Sequence, residues 1–317
     1  MSHDIFFLTY FIEGAYQLSK LSNLKVSNSD VDTLSRIRMK EGVYRDLPIE
    51  SYHQSPGYSK TSLCQIDKAP IYLKTKVPQK STKSLNIGTA FHEAMEGVFK
   101  DKYVVHPDPG VNKTTKSWKD FVKRYPKHMP LKRSEYDQVL AMYDAARSYR
   151  PFQKYHLSRG FYESSFYWHD AVTNSLIKCR PDYITPDGMS VIDFKTTVDP
   201  SPKGFQYQAY KYHYYVSAAL TLEGIEAVTG IRPKEYLFLA VSNSAPYLTA
   251  LYRASEKEIA LGDHFIRRSL LTLKTCLESG KWPGLQEEIL ELGLPFSGLK
   301  ELREEQEVED EFMELVG

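Results

Sequence analysis

Residues 176–197, LIKCRPDYITPDGMSVIDFKTT, constrain the fold more than any other stretch. Two apolar runs flank Asp187-Gly188, and Asp-Gly between alternating apolar residues is the strongest short-range hairpin signal. With that pair as the loop, pairing outward sets Asp182 opposite Asp193 and Arg180 opposite Lys195. Side chains alternate faces along a strand, so Asp193 and Lys195 share one face while Ile192 and Phe194 share the other. Opposed Cβ atoms lie roughly 4.5–5.5 Å apart, where like charges destabilise a sheet. Burying a charge is costly unless it is paired or binds metal. A divalent cation accounts for the two aspartates, since Mg²⁺ is held by one or two carboxylates and prefers oxygen ligands. Pro181 cannot donate to the ladder, so a bulge can shift this register by one. Lys195, on the shared face, is suited to orient an attacking water or to stabilise charge on a phosphoryl oxygen. The competing reading is a surface Asp-x-Lys that only pairs across the strands.

Upstream, SLNIGTAFHEAMEGVF (84–99) sets Ile87, Phe91, Met95, Val98 and Phe99 at helical spacing. His92 sits on this helix one turn before Glu96, and Gly88 permits close backbone approach. The spelling is H-E-x-x-E rather than H-E-x-x-H, which excludes the zinc-protease reading. A lone helical histidine is otherwise a satisfied core or surface residue.

The rest of the pattern surrounds these motifs. Ser59 to Ser62 reads as a helix entry, Ser134 to Arg150 as a helix and Phe161 to Trp168 as a strand. Leu176 to Ile184 and Ser190 to Thr196 are the two hairpin strands. Gln206 to Thr229 reads as one long tyrosine-rich helix, Glu235 to Ser242 as a strand, and Ser255 to Ser279 as a helix opened by a Ser255/Glu258 capping box. Residues 107–130, rich in Pro, Lys and Thr, read as a long loop region. This order predicts an α/β domain with a mixed sheet. Three scattered cysteines (Cys64, Cys179, Cys276) argue against a disulfide framework and cannot ligate a four-cysteine cluster. The apolar run Ile5 to Ile12 is too short to span a bilayer and lacks the marks of a signal peptide, so a cytoplasmic protein is expected. No P-loop signature is present.

Net charge is +1 but unevenly spread: residues 286–317 hold eleven acids against Lys300 and Arg303, net −9, which leaves +10 for the rest. A basic body suits a polyanionic partner, although charge alone does not separate that from a solvated surface. The chain divides into a helix-prone extension (1–40), a central domain (41–285) and an acidic tail (286–317). The tail is either a solubilising end or a segment that competes with DNA or docks a partner through Leu299, Leu302, Phe312, Leu315 and Val316.

GTAFHEAM, CRPDYI and VIDFKTT, in that order, resemble the motifs of the PD-(D/E)XK nucleases, in the RecB-like group and its RecE (exonuclease VIII) type. The likeness extends to YRDLPIESYHQSPGYSKTSL, ESSFYW, YLFLAVS and CLESGKWPG, covering roughly residues 41 to 285. It implies a restriction-endonuclease-like core, a central mixed β-sheet flanked by helices. It also implies that His92, Asp182 and Asp193 bind metal and that Lys195 is the catalytic lysine, with Asp182 and Asp193 in the catalytic set. Mg²⁺ is the implied cofactor, with Mn²⁺ as a substitute. The implied activity is 5′-to-3′ degradation of duplex DNA from its ends, leaving 3′ single strands for an annealing protein, by a homo-oligomeric ring. An endonuclease or repair nuclease of the same superfamily, or a non-catalytic DNA-binding scaffold, are the alternatives.

One departure concerns the Q-x-x-x-Y motif that usually follows the lysine. Counted back from Gly224, its positions hold Ser217 and Thr221; Gln206/Tyr210 and Gln208/Tyr212 match the spacing but sit earlier. Candidate DNA contacts are Lys113, Lys116, Lys119, Arg180 and Gln208, with Trp118 available to stack on an unpaired base. The bland reading of that loop is a basic segment anchored by a buried Trp. Glu163 is a candidate for a further acid near the metal, although a strand glutamate reads more readily as a surface or paired residue. The row Tyr207, Tyr210, Tyr214 reads as core or subunit interface in preference to a base-stacking platform.

Overall fold

The computed structural model describes residues 39–75, 83–155, 159–286, 288–295 and 298–307, with side chains from Ile87 onward in the first long helix. Most of the extension at 1–40 and the end of the tail (308–317, with Phe312, Leu315 and Val316) lie outside the described residues. The described residues up to Trp282 form one compact unit and those from Pro283 a second.

In chain order the first unit contains β1 (Gly42–Tyr44), α1 (Ile49–Gln54), α2 (Lys60–Lys68), α3 (Lys83–Glu96), α4 (Phe99–Lys102) and β2 (Tyr103–Val105). Then come α5 (Lys116–Arg124), β3 (Met129–Leu131), α6 (Arg133–Ser148), α7 (Arg150–Gln153), β4 (Phe161–Tyr162), β5 (Ser165–His169) and β6 (Leu176–Cys179). The rest are β7 (Tyr183–Ile184), β8 (Ser190–Thr197), α8 (Pro202–Lys211), α9 (Tyr214–Thr229), β9 (Glu235–Ser242), β10 (Thr249–Arg253) and α10 (Glu256–Ser279).

The main sheet has the order β10-β9-β8-β7-β4, with β8 and β9 parallel and the other neighbours antiparallel. It is the mixed sheet that the element order predicts. Both faces are covered, which is why β8 and β9 read as near-continuous apolar runs. Val191, Tyr236, Phe238 and Ala240 pack with residues of α2, α9 and α10. Ile192, Phe194, Leu237, Leu239 and Val241 pack with residues of α3 and α6. A second antiparallel sheet, β1-β5-β6, lies on the first side, where Phe166, Trp168 and Ile177 join the same core. Helix α9 is buried almost all round, from Tyr215 to Ile225, as a central helix must be. The capping box at Ser255 is formed, with its Oγ accepting from the Glu258 amide.

Four expectations are corrected by the backbone. The strand expected over 161–168 is two strands broken at Glu163, whose φ is +47°. The strand expected over 176–184 is broken around Pro181: β6 pairs β5, and only β7 pairs β8. The helix expected over 206–229 is broken at His213, φ +54°, where Lys60 Nζ takes the Tyr212 carbonyl at 2.7 Å. Residues 107–130 include the helix α5, capped by Thr115, whose hydroxyl accepts from the Trp118 amide. The hairpin keeps the expected register, Tyr183 opposite Ile192 and Ile184 opposite Val191. Its loop is wider than two residues, because Thr185 already bonds Ser190 and accepts the Gly188 amide at 2.8 Å, with Gly188 at φ +71°.

In the second unit residues 298–307 are helical and largely exposed, with Lys300 and Glu304 paired one turn apart. No helix among the described residues is long and apolar enough to cross a membrane.

Candidate active site

The site forms where β7 leaves β8. The break at Pro181 swings Asp182 out of the ladder, and its Oδ2 accepts the Phe194 amide at 2.6 Å in place of a strand carbonyl. Asp182 Oδ1 lies 3.5 Å from His92 Nδ1 on α3. That helix lies close to β8: a Cβ at Gly88 would meet Thr196 Oγ1 at 3.3 Å. The His92 ring is held edge-on to Phe194, with centroids 5.9 Å apart. Glu163 turns in from the other side, its amide bonded to the Asp182 carbonyl at 3.2 Å. His92, Glu163 and Asp182 each offer a ligand atom, all within 4.8 Å of one another.

Asp193 lies deeper, 6% exposed. Its Oδ1 pairs with Lys195 Nζ and its Oδ2 accepts from Tyr236 OH at 2.9 Å. Lys195 also lies 5.1 Å from the Tyr214 ring centre. His92, Glu163, Lys195 and Tyr214 line a cleft of about 1520 Å³, together with Arg45, Glu50, Glu96, Gln208 and Tyr212.

Electrostatics follow from burying so many charges together. Burial favours neutral carboxyls, yet His92 and Lys195 hold Asp182 well below the ordinary carboxylate range. Burial and the Asp182 charge push Asp193 up to about 6 against the pull of Lys195. Burial, with Asp182, pushes Glu163 up to about 7 although Arg180 opposes it. Burial works against the His92 imidazolium, but Asp182 outweighs it and raises the pKa. Burial likewise opposes the Lys195 ammonium, and Asp193 and Asp182 outweigh it, to about 12. One imidazole and several carboxyls that crowd one another is a donor set suited to a divalent cation. His92, Asp182 and Glu163 fit that role, with Asp193 beside them.

The sequence-derived candidates separate into two groups. His92, Arg180, Lys195 and Gln208 line the cleft, with Asp182 and Asp193 paired behind His92 and Lys195. Arg180 is not opposite Lys195, because its strand ends before Pro181. Its Nε donates to Glu163 Oε2 at 2.6 Å and one terminal nitrogen to the Leu47 carbonyl at 2.6 Å, so it positions Glu163. Gln208 donates to the Thr196 carbonyl (3.3 Å) and Tyr214 OH (3.1 Å) and accepts from Thr197 Oγ1 (2.6 Å). Gln208 and Tyr212 both line the cleft, whereas Thr221 is buried in α9; the break at His213 defeats counting back from Gly224. Lys113, Lys116, Trp118 and Lys119 lie elsewhere, on and before α5. The Trp118 indole is buried at 7% exposure, stacked on His106 and covered by Lys113, which pairs with Glu135 at 2.8 Å. It is an anchor, and its faces are closed to a base. Glu163 and Tyr236 open the stretches ESSFYW and YLFLAVS, but neither is among the site residues that the resemblance implies. The Phe-Tyr-Glu-Ser-Ser spelling gives no sign of the left-handed residue that aims Glu163 inward.

A mixed sheet with carboxylates and a lysine where its strands part is the restriction-endonuclease-like core. The chain belongs to the family of the PDDEXK-like domain of unknown function (DUF3799), whose pattern matches residues 60–291. A crystal structure described as a "putative exonuclease" from Eubacterium rectale shares the fold, with TM-score 0.54 and 12% identity over 80% of this chain and 98% of that one. The crystal structure of SSO0001 aligns at TM-score 0.27 and 14% identity over 60% of this chain and 88% of that one, too low to carry weight. No curated protein matches the chain.

Proposed function

We propose that this chain is a metal-dependent deoxyribonuclease that degrades duplex DNA from its ends, 5′ to 3′, leaving 3′ single strands for recombination. The observation that supports hydrolysis best is that His92, Glu163 and Lys195 line one cleft with Asp182 and Asp193 paired directly behind them. Bound there by His92, Asp182 and Glu163 with Asp193, a divalent cation such as Mg²⁺, or Mn²⁺ in its place, supplies Lewis-acid polarisation of a phosphodiester and acidifies water. The chain's own groups do the rest. Asp182 is fixed by the Phe194 amide, and Arg180 fixes Glu163. Lys195 remains an ammonium at neutral pH, so it serves as a charge and a donor toward a phosphoryl oxygen or an attacking water. Tyr236 OH and Lys195 Nζ hold the two oxygens of Asp193.

End dependence, polarity and recombination rest on the RecE-type motifs, and the fold shared with a protein described as an exonuclease is consistent with them. So do a ring-shaped homo-oligomer, an annealing-protein partner and a cytoplasmic location. Incubating the protein and Mg²⁺ with linear and covalently closed duplex tests the reading. Linear DNA degraded with closed circles spared is expected. Rapid nicking of circles would replace the exonuclease by an endonuclease, and cleavage of neither would remove the nuclease reading.

A further inference from the structure

Of the tyrosine row Tyr207, Tyr210 and Tyr214, the first two are 70% and 68% exposed and are not core residues. Tyr214 is half-buried and lines the cleft. It is the first residue of α9, directly after the left-handed His213, so the break that Lys60 closes at the Tyr212 carbonyl also sets where this ring stands. Lys195 Nζ lies over the ring, 5.1 Å from its centre. That is inside the roughly 6 Å within which an ammonium is drawn to the negative face of an aromatic ring. Lys60 Nζ is farther from the same ring, at 5.8 Å. The ring itself is held from several sides. It stacks on Phe238, with centroids 5.8 Å apart and planes at 28°, and packs on Phe205 at 6.0 Å and 45°. Its hydroxyl accepts from Gln208 Nε2 at 3.1 Å, and Gln208 is bonded to Thr196 and Thr197 of β8. Strand β8 thus carries the lysine and, through Gln208, an anchor of the ring that faces it.

We propose that Tyr214 is a positioning residue for Lys195, its ring face holding the ammonium where the site uses it. This role rests on the nuclease reading, in which Lys195 meets a phosphoryl oxygen or an attacking water. A lysine has a flexible four-carbon stem, and its pair with Asp193 is one contact at the tip. The fixed ring supplies a second contact and so narrows the positions open to the nitrogen. Tyr214 acts through the lysine and not on the substrate. Misplacing a catalytic group slows the chemical step more than it weakens binding, so the ring is felt in kcat and little in KM.

Tyr214→Phe and Tyr214→Met are compared with difluorinated and trifluorinated phenylalanine at the same position. Fluorine withdraws charge from the ring face in steps while keeping its shape and apolar surface, so a role in packing alone is blind to the series. With Mg²⁺ and linear duplex, kcat in Tyr214→Phe should match wild type, because the ring face is kept. It should fall stepwise through the fluorinated rings and end about 5- to 30-fold down in Tyr214→Met, with KM within about twofold throughout. Without metal or DNA, acetylation of Lys195 by acetic anhydride, read by peptide mass spectrometry, should rise in the same order as the nitrogen leaves the ring. Fluorinated rings that keep kcat and labelling at the Tyr214→Phe level would overturn the proposal. So would a loss carried by KM alone, which would make Tyr214 a contact to DNA. Wild type that cleaves no DNA would remove the nuclease reading, and the labelling series would then decide by itself whether the ring holds Lys195. Cleavage by wild type with a flat series would remove the positioning role alone.

Discussion

Lys178→Met should abolish a pH dependence of stability. Lys178 is 5% exposed, with its ammonium on the Tyr52 carbonyl (2.7 Å), the Ser55 carbonyl (2.7 Å) and Ser55 Oγ (3.2 Å). It therefore closes the C-terminal end of α1, whose residues Ile49, Glu50 and His53 line the cleft. Burial with no carboxylate partner pushes its pKa down from 10.5 to about 8. Between those values the unfolded chain binds the proton and the folded chain releases it, so stability rises with pH across that window. The whole difference is worth roughly 3 kcal/mol at about 1.4 kcal/mol per pH unit. Solvent near the ammonium screens part of this, leaving about 1 kcal/mol between pH 7.5 and 9.5. At neutral pH, losing the ammonium also orphans two carbonyls at about 1–3 kcal/mol each, which opposes the relief of the buried charge. The pH dependence is thus the discriminating quantity. Urea unfolding by tryptophan fluorescence at both pH values should show wild type gaining about 1 kcal/mol relative to the variant. Other titrating groups are common to both proteins and cancel. Parallel pH dependences, or a wild type that loses ground, would refute the account of a strained, unpaired lysine.

Asp193→Ala and Lys195→Ala should each lower DNA hydrolysis by at least about 100-fold while circular dichroism stays native. Mg²⁺ at 100 times its dissociation constant should stabilise wild type by about 2.7 kcal/mol, read as a rise in melting temperature. Asp193→Ala should shrink that rise and Lys195→Ala should keep it; the reverse pattern would exchange their roles. Gly262→Ala should destabilise by about 1–2 kcal/mol in urea, because its Cβ would sit 2.4 Å from the Tyr215 carbonyl oxygen and 2.6 Å from Ala219 Cβ where α9 crosses α10. Helix propensity alone predicts a gain of up to about 1 kcal/mol, so a raised midpoint would mean that this crossing can spread.

What was legible in the chain was what local pattern encodes. The β9 strand, the Ser255 helix start and the hairpin register follow from apolar runs, a capping box and a turn. Asp182, Asp193 and Lys195 could be singled out together from the hairpin register, whereas His92 joined them only through the family resemblance. The breaks were not legible. Nothing local at His213 or Glu163 demands a left-handed residue: neither is glycine or asparagine, and each is held by distant partners. Lys60 takes the carbonyl before His213, and Arg180 takes the Glu163 carboxylate. Those long-range contacts decide that Gln208 faces the cleft, that Glu163 turns into it and that the tyrosines of α8 face solvent. Trp118 illustrates the converse. Its lysine-rich surroundings suggest a nucleic-acid contact, but His106, twelve residues earlier in the chain, closes over one face.

The site's position has a reason in the backbone. Strand β8 is bonded to β9 along its whole length, but β7 reaches only as far as Ile192 on the other side. Beyond that point β8 has an edge inside the protein, and an unpaired buried backbone group is costly. Side chains take the place of the missing strand. Asp182 accepts the Phe194 amide, Lys195 Nζ approaches the Phe194 carbonyl at 3.4 Å, and Gln208 donates to the Thr196 carbonyl. Two of the groups that complete the sheet, Lys195 and Gln208, therefore line the cleft, and Asp182 backs His92, which lines it too. A longer β7 would satisfy the same backbone with carbonyls and amides and leave no room for a carboxylate there. Pro181, which cannot extend the ladder, thus separates a closed hairpin from one that ends in a charged, open edge with the donor set for a cation.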